Sequence, residues 1–208
     1  MNIEQLKRID ITQDKVLKIT KSGFKVFVNN DLEKASTNLI VGDAQVSRGI
    51  LYHYFKDKKE LFDFLLYFSA KKIFDNIQEA IDWSNTDYLI RLRQSLASKI
   101  RTIIEFPYLY DFGKKYIALY PESISEDLMP GFQHRFYHEN LDFSNVRDDV
   151  DVEMMKKTII FALSEITRNV FHDIEVSQGE IDGEELLERS IKEIDRYLVF
   201  FRSTFYKS

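Results

Sequence analysis

The sequence predicts an all-α protein with a small three-helix head at its N-terminal end and a helical bundle after it. Only 7 Gly and 3 Pro occur among 208 residues, whereas the helix-favouring residues Leu, Ile, Lys and Glu are abundant. Apolar residues recur at steps of three and four, which places them on one face of a helix. With 44% hydrophobic residues, including 17 Phe, the chain can bury a sizeable core.

The first helix of the head is expected to begin near Asp10 or Thr12, because both side chains are competent N-terminal caps. Its buried face carries Val16, Ile19, Gly23, Phe24 and Phe27. It should end at residues 29–31, Asn-Asn-Asp, since Asn and Asp tolerate the left-handed backbone that is common at helix ends.

A second helix is expected over about Thr37–Ala44, with Ser36 as its cap and with Leu39 and Ile40 turned inward. After it, Gln45-Val46 forms a turn.

Ser47 then caps a third helix, which runs to about Phe55 and buries Val46, Ile50, Leu51 and Phe55. A helix this short must be held by a neighbour, because about 12–15 residues are marginal even for good helix formers. Its other face then stays outward, as in the recognition helix of a helix-turn-helix unit.

The body begins with a long helix over about 58–82, a possible lever between the head and the bundle. Two further helices are expected at about 86–106 and 108–119, each followed by a proline that ends it. Another should lie within residues 124–143, interrupted or bent near Pro130-Gly131.

The last two helices carry apolar stripes and are joined by residues 178–183, so they should form an antiparallel pair. Docking of this pair on a second copy would give a four-helix dimer interface with two-fold symmetry. The interface residues expected from the stripes are Ile159, Leu163, Ile166, Val170, Leu187, Ile191, Ile194, Leu198, Phe201 and Phe205. The alternative is that the same stripes form an ordinary intrachain core.

Charge and composition limit the class of protein. The net charge is −5, but residues 1–62 contain 11 Lys/Arg and 8 Asp/Glu, whereas the remainder contains 18 and 26. A basic end on an acidic body suits a small DNA-binding head. No run of 18 apolar residues, no secretory-type start and no cysteine are present, so we expect a soluble cytoplasmic protein without disulfides or thiolate metal sites.

The stretch from Phe27 to Phe62 resembles the N-terminal head of TetR-family transcriptional regulators. The resemblance rests on Lys34-Ala35-Ser36-Thr37-Asn38, Ile40-Val41, Ala44-Gln45-Val46-Ser47-Arg48-Gly49, Leu51-Tyr52-His53-Tyr54-Phe55 and Lys58-Lys59-Glu60-Leu61-Phe62. It covers about the first third of the chain. It implies a DNA-binding domain at 1–57 and an effector-binding and dimerisation domain at 58–208.

The chain departs from the family pattern at Asp31 and Gln45, where glycine is usual. A non-glycine residue at Gln45 costs on the order of 1 kcal/mol if the turn needs a positive φ. Gly42 within the second helix costs roughly another 1 kcal/mol relative to alanine. We therefore expect a head that is less rigid than usual or that orders fully only on DNA.

The residues expected to contact DNA are Ser36, Thr37, Gln45, Ser47, Arg48, Gly49, Tyr52, His53, Tyr54 and Lys58. The serines and Thr37 lie at helix starts, where free N–H groups attract phosphate. Arg48 suits either guanine or phosphate, and the family resemblance supports backbone contacts for Tyr54 and Lys58. The alternatives are that the tyrosines pack the head and that the two cations are solvated.

The resemblance also implies a homodimer on palindromic DNA, more often a repressor than an activator, released by a small apolar or aromatic effector. Aromatic density in the body points to Tyr108, Phe112, Tyr116, Phe136 and Phe161 as the effector pocket. No cofactor, metal or enzymatic activity is expected. The first rival is a helical ligand-binding or adaptor protein whose head no longer recognises DNA specifically.

The second rival is a small helical enzyme. His134 and His138 are four residues apart with Glu139 adjacent, so two imidazoles could share one helix face near a metal. Two ligands without a clear third are a weak pattern, and the sequence lacks both a glycine-rich phosphate loop and a Gly-x-Ser-x-Gly elbow.

Overall fold

The computed structural model describes residues 3–119, 131–176 and 182–207, and their regular secondary structure is helical. The helices are α1 (Ile3–Leu6), α2 (Asp14–Asn29), α3 (Thr37–Ala44), α4 (Arg48–Tyr54), α5 (Lys58–Ala80), α6 (Tyr88–Glu105), α7 (Leu109–Tyr116), α8 (Phe132–Tyr137), α9 (Val152–Val176) and α10 (Gly183–Phe205). A 3₁₀ turn, Ile117–Leu119, extends α7. The predicted all-α class is confirmed.

The described residues fall into two compact units. Unit 1 takes its residues from Met1–Phe74 and Tyr108–Pro130, and unit 2 from Asp75–Pro107 and Gly131–Ser208. The contacts thus place most of α5 and all of α7 with the head. The functional division at residue 57, which follows the helix-turn-helix pattern, stays a prediction.

Unit 1 is built around α2, which packs against α3, α4 and α7. Gly23 lets α2 approach α5 closely, since a Cβ there would lie 2.9 Å from Leu65 Cδ1. The core of the unit is an aromatic cluster with ring centroids 5.0–6.2 Å apart, mostly edge to face, a favourable arrangement. Its members are Phe24, Phe27, Phe62, Phe112 and Tyr116.

Several details of the predicted head differ from the structure. Val46 and Ile50, expected to be buried, are half-buried, and Asn30 after α2 is extended and not left-handed. Asp10 accepts hydrogen bonds from Thr12 in a local turn, and α2 begins only at Asp14, without a side-chain cap. Leu39 is 48% exposed, whereas Ile40 is fully buried. Helix α3 has eight residues, so only a narrow stripe faces α2, and Leu39 lies outside it.

Unit 2 has α6 packed against both α9 and α10. The start of α10 lies very close to α6, because a Cβ on Gly183 would lie 2.7 Å from Ile104 Cγ2. Arg91 of α6 is buried, and its guanidinium donates to the carbonyl oxygens of Arg135, Phe136 and Glu139 at 2.9–3.2 Å. This side chain therefore fastens α8 to α6.

Helix α8 is the described part of the helix expected within residues 124–143. Gly131 precedes it with a φ of 67°, a conformation that glycine adopts without strain. Residues 124–130 lie outside the described residues.

The stripes assigned to the dimer interface lie mainly inside unit 2. Seven of these residues are buried: Ile159, Leu163, Ile166, Val170, Ile194, Leu198 and Phe201. The remaining three, Leu187, Ile191 and Phe205, are half-buried. Because these seven side chains are buried within the chain, their assignment to a dimer interface is corrected in favour of an intrachain core, whereas the assignment of Leu187, Ile191 and Phe205 stays a prediction.

None of the helices in the described part of the chain combines the length and apolar character needed to cross a bilayer.

Candidate nucleic-acid interface

Two serine caps and a tight turn set the geometry of α3 and α4. Ser36 Oγ accepts a hydrogen bond from Leu39 N, and Ser47 Oγ accepts one from Ile50 N, each at 3.3 Å. Both caps were predicted from the sequence. Between the helices, Gln45 adopts the left-handed conformation, with φ 53° and ψ 42°. The turn closes when Val46 N donates to Val41 O at 3.1 Å.

Helix α4 has one buried and one exposed side. Leu51 and the following Phe55 are fully buried, and the Phe55 ring lies 5.3 Å from that of Phe64. The exposed side, here called the outer face of α4, consists of Ser47, Arg48, Gly49, Tyr52 and His53. A short helix held by two apolar anchors therefore presents a cation, two aromatic side chains and a hydroxyl to solvent.

Helix α3 contributes to the same surface through two contacts with α4. The Arg48 guanidinium donates to Asn38 Oδ1, with Nε at 2.6 Å. The hydroxyl groups of Thr37 and Tyr52 lie 3.3 Å apart. Arg48 has five N–H donors, so the Asn38 contact orients it and leaves other donors free. The sequence prediction did not include Asn38, whose amide lies ten residues from its partner.

Besides the residues just described, the predicted DNA contacts Tyr54, Lys58 and Ser36 also have partners within the head. The hydroxyl of Tyr54 donates to Gln13 Oε1 at 2.7 Å, which joins the end of α4 to the start of α2. Lys58 Nζ donates to Leu32 O and Ala35 O, each at 2.9 Å. Ser36 Oγ is occupied as a cap. These contacts support structural roles, and their contacts with phosphate remain predictions.

A charged contact joins α2 to α3. The carboxylate of Asp43 accepts hydrogen bonds from Ser22 Oγ at 2.7 Å and Lys25 Nζ at 2.6 Å. Desolvation by itself would raise the pKa of Asp43, but the hydrogen bonds from Lys25 and Ser22 outweigh it and lower that pKa below its ordinary value. The contact therefore favours the charged carboxylate and fixes α3 on α2.

The five residues predicted to line an effector pocket are divided between the two units. Phe112 and Tyr116 are buried in the aromatic core of unit 1, whereas Phe136 is buried in unit 2. Tyr108 is half-buried in unit 1. Phe161 is 82% exposed on α9, so its assignment to an enclosed pocket is wrong.

Unit 2 contains an open groove of about 590 Å³ between α6 and α10. Its apolar lining is Leu89, Ile90, Leu198 and Val199. The Arg93 guanidinium and the Asp195 carboxylate, paired at 2.6 and 3.0 Å, form part of its polar rim. An apolar floor with a few polar groups is the usual composition of a small-molecule site.

The rings of His134 and His138 lie 5.6 Å apart on and just after α8, and both residues are exposed. Within the described ranges, no three His, Asp or Glu side chains are grouped closely enough to hold a metal ion. The structure therefore adds no third ligand to this pair.

Four apolar side chains are exposed on α9 and α10 and are here called the exposed apolar patch: Ile160, Phe161, Val199 and Phe200. Phe161, Val199 and Phe200 are 82%, 71% and 59% exposed. Phe161 lies 15 residues before the end of α9, and Val199 lies 16 residues after the start of α10. Because the helices run antiparallel, these side chains lie at the same level, roughly 22–24 Å from the connection at a rise of 1.5 Å per residue.

Comparison with known proteins gives a family match for the head and a fold match for the whole chain. Residues 19–65 match the family of bacterial regulatory proteins, tetR family. A search of proteins with curated functions gave no match.

Solved structures with this fold include a TetR-family transcriptional regulator from Chloroflexus aurantiacus J-10-FL, with a TM-score of 0.60 and 19% identity over 99% of this chain and 98% of that one. Another is a tetR-family transcription regulator from Shewanella sp. PV-4, with a TM-score of 0.54 and 18% identity over 94% of this chain and all of that one.

Proposed function

Because the head of this chain is a tetR-family domain and the whole chain has the fold of TetR-family regulators, we propose that the protein is a transcriptional regulator that binds palindromic DNA as a homodimer. The observation that carries the proposal is that α4 is buried on one side and exposed on the other. Leu51 and Phe55 are fully buried, while Arg48, Tyr52 and His53 are exposed. A helix seven residues long that is anchored on one side suits insertion into a major groove.

Arg48 is the residue proposed to recognise a base. Its guanidinium is oriented by Asn38, and an oriented Arg can donate two parallel hydrogen bonds to guanine O6 and N7. Tyr52 and His53 flank it on the outer face of α4 and supply ring edges for further base or sugar contacts.

The exposed apolar patch of α9 and α10 is the proposed dimer surface. Water-exposed Phe161, Val199 and Phe200 are costly to leave uncovered, and a clustered apolar patch commonly marks an interface. A two-fold axis at this patch would place Phe161 of one copy against α10 of the other. Two heads would then be available for two half-sites, one helical turn or about 34–36 Å apart.

The dimer surface is tested by sedimentation equilibrium of Phe161→Glu. The expected result is a two-chain wild type and a monomeric variant, because a charge would have to be buried at the interface. The control is Leu119→Glu, which adds the same charge at a 52% exposed leucine of unit 1 and should leave the dimer intact. A dimeric Phe161→Glu variant would contradict the proposed surface.

We further propose that DNA binding represses transcription and that a small apolar or aromatic effector regulates this binding. The groove between α6 and α10 supports an effector site in unit 2 better than the aromatic residues predicted from the sequence, because its floor is apolar and open to solvent. Val199 belongs both to this groove and to the exposed apolar patch, so the proposed effector site would border the proposed dimer surface. The proposed compartment is the cytoplasm, where such a regulator would meet DNA.

DNA recognition is tested by selecting bound sequences from a random duplex pool and measuring affinity for the selected and scrambled sites. We expect a palindrome and a loss of roughly 1–3 kcal/mol for Arg48→Ala on that palindrome. Arg101→Ala, which removes an exposed arginine of unit 2, is the control for charge and should bind like the wild type. Equal, weak affinity for every duplex would instead support a helical adaptor protein whose head no longer recognises DNA specifically.

A further inference from the structure

The C-terminal end of α2 is held by a lysine that lies outside the helix-turn-helix. Lys115 Nζ of α7 donates to Phe27 O and Val28 O at 2.9 Å and to Asn30 O at 2.8 Å. The adjacent Tyr116 hydroxyl also donates to Phe27 O, at 2.8 Å, in a buried environment.

Helix chemistry explains why an ammonium group suits this position. The last carbonyl groups of a helix have no partner within the helix, and they carry partial negative charge. An ammonium group has three donors. The three carbonyl oxygens at the end of α2 therefore use all of the Lys115 donors, and none remains for a DNA phosphate.

The helix that carries Lys115 is itself firmly placed. Phe112 and Tyr116 are buried, and their rings lie 5.5 and 5.0 Å from that of Phe62. Phe112 also lies 6.2 Å from Phe27. Lys115 therefore lies on a helix that is anchored in the core of unit 1, and its ammonium group reaches the last turn of α2.

A second lysine holds the residues that follow. Lys58 Nζ of α5 donates to Leu32 O and Ala35 O, both at 2.9 Å, and Ala35 is buried. The next residue is Ser36, the cap of α3. Residues 30–36 form the connection between α2 and α3. Ammonium groups from α5 and α7, which lie outside the helix-turn-helix, therefore hold this connection.

We propose that Lys115 and Lys58 are positioning residues for DNA recognition: together they fix the α2–α3 connection and so the placement of the α3 cap and of Asn38, which orients Arg48. The inference rests on the proposed function, and it deepens that function by assigning both lysines to the shape of the head. It also gives Lys58, which uses two of its three donors inside the head, an internal role in place of the phosphate contact expected from the sequence. A displacement of α7 would move Lys115, and so the α2–α3 connection and the DNA-binding surface.

The first test needs no DNA. Amide hydrogen exchange of a peptide covering residues 25–36 is compared in the wild type, Lys115→Met and Lys115→Arg. Loss of charge-assisted hydrogen bonds at Lys115→Met should speed exchange roughly tenfold or more, and Lys115→Arg should restore much of the protection. The matched control is Lys114→Met, which removes the same charge from an exposed neighbour in α7. Unchanged exchange in Lys115→Met would overturn the proposal.

The second test separates positioning from direct contact with DNA. Affinity for the selected palindrome is measured as a function of salt concentration for Lys115→Met and Lys58→Met. We expect roughly tenfold weaker binding at every salt concentration with the same salt dependence, because no phosphate contact is lost. A lysine that neutralises a phosphate would instead lower the slope of log K against log salt by about 0.9.

The outcomes separate this inference from the proposed function. A wild type that binds no DNA specifically would end the proposed function, while the exchange result would still show whether the lysines hold the connection. A reduced salt slope for Lys58→Met, with unchanged exchange, would return Lys58 to a phosphate contact and contradict its positioning role. A Lys115→Met variant that exchanges faster yet binds the palindrome with wild-type affinity would contradict the role of the connection in recognition.

Discussion

Replacement of Gln45 by glycine is expected to stabilise the head. Gln45 lies in the left-handed region at φ 53° and ψ 42°, and its side chain is exposed. A non-glycine residue pays about 1–2 kcal/mol for that conformation. Glycine avoids this cost but loses roughly 0.5–1 kcal/mol more backbone entropy on folding. The net gain from Gln45→Gly is therefore about 0–1.5 kcal/mol, centred on about 0.75 kcal/mol.

The assay is thermal and urea unfolding at a fixed protein concentration, since assembly would make the midpoint depend on concentration. For a chain of this length, about 1 kcal/mol corresponds to a shift in Tm of roughly 2–4 °C. The control is Gln45→Ala, which removes the side chain but keeps the left-handed backbone and should give no gain. Equal stabilisation by alanine, or destabilisation by glycine, would refute the assignment of strain to this turn.

Four further variants are expected to change stability, each measured by chemical unfolding. Gly42→Ala should add up to about 1 kcal/mol, because a Cβ there meets no atom within 4 Å and alanine favours a helix. Asp43→Asn should lower stability near neutral pH. Because the pKa of Asp43 in the folded protein lies below its ordinary value, the charged carboxylate stabilises the fold above about pH 4. This stabilisation vanishes as pH falls through the folded pKa, so the variant and the wild type should then be equally stable. Tyr88→Phe should add about 1 kcal/mol, because it removes a buried hydroxyl without a hydrogen-bond partner. Burial raises the pKa of Tyr88, so this variant should also lose less stability than the wild type above about pH 10. Arg91→Met should cost about 2–4 kcal/mol, since it leaves the α8 carbonyl groups without their donor; a loss below 1 kcal/mol would show that water replaces the guanidinium.

The local features of the head were accessible from sequence because their causes are local. Ser36 and Ser47 each accept a hydrogen bond from the backbone N–H three residues ahead. The tight turn at Gln45 follows from the spacing between the two short helices. The anchors Leu51 and Phe55 followed from periodicity in the same way.

The proposed dimer surface was not accessible in this way. A regular apolar stripe such as Ile159–Leu163–Ile166 shows that one helix face is buried, but not whether the covering helix belongs to the same chain. Here α6 covers it, and the exposed Phe161 lies off the stripe. The pairing of Lys115 with the end of α2, 85–88 residues away, likewise depends on tertiary packing and leaves no local pattern.

In the proposed dimer, two α4 helices enter successive major grooves on one face of the duplex. This arrangement can be tested by hydroxyl-radical footprinting of the selected palindrome with the wild-type protein. Two protected segments whose centres lie one helical turn apart, both lost in Arg48→Ala, are the expected result. A single protected segment, or uniform protection along the duplex, would contradict paired recognition by the outer faces of α4.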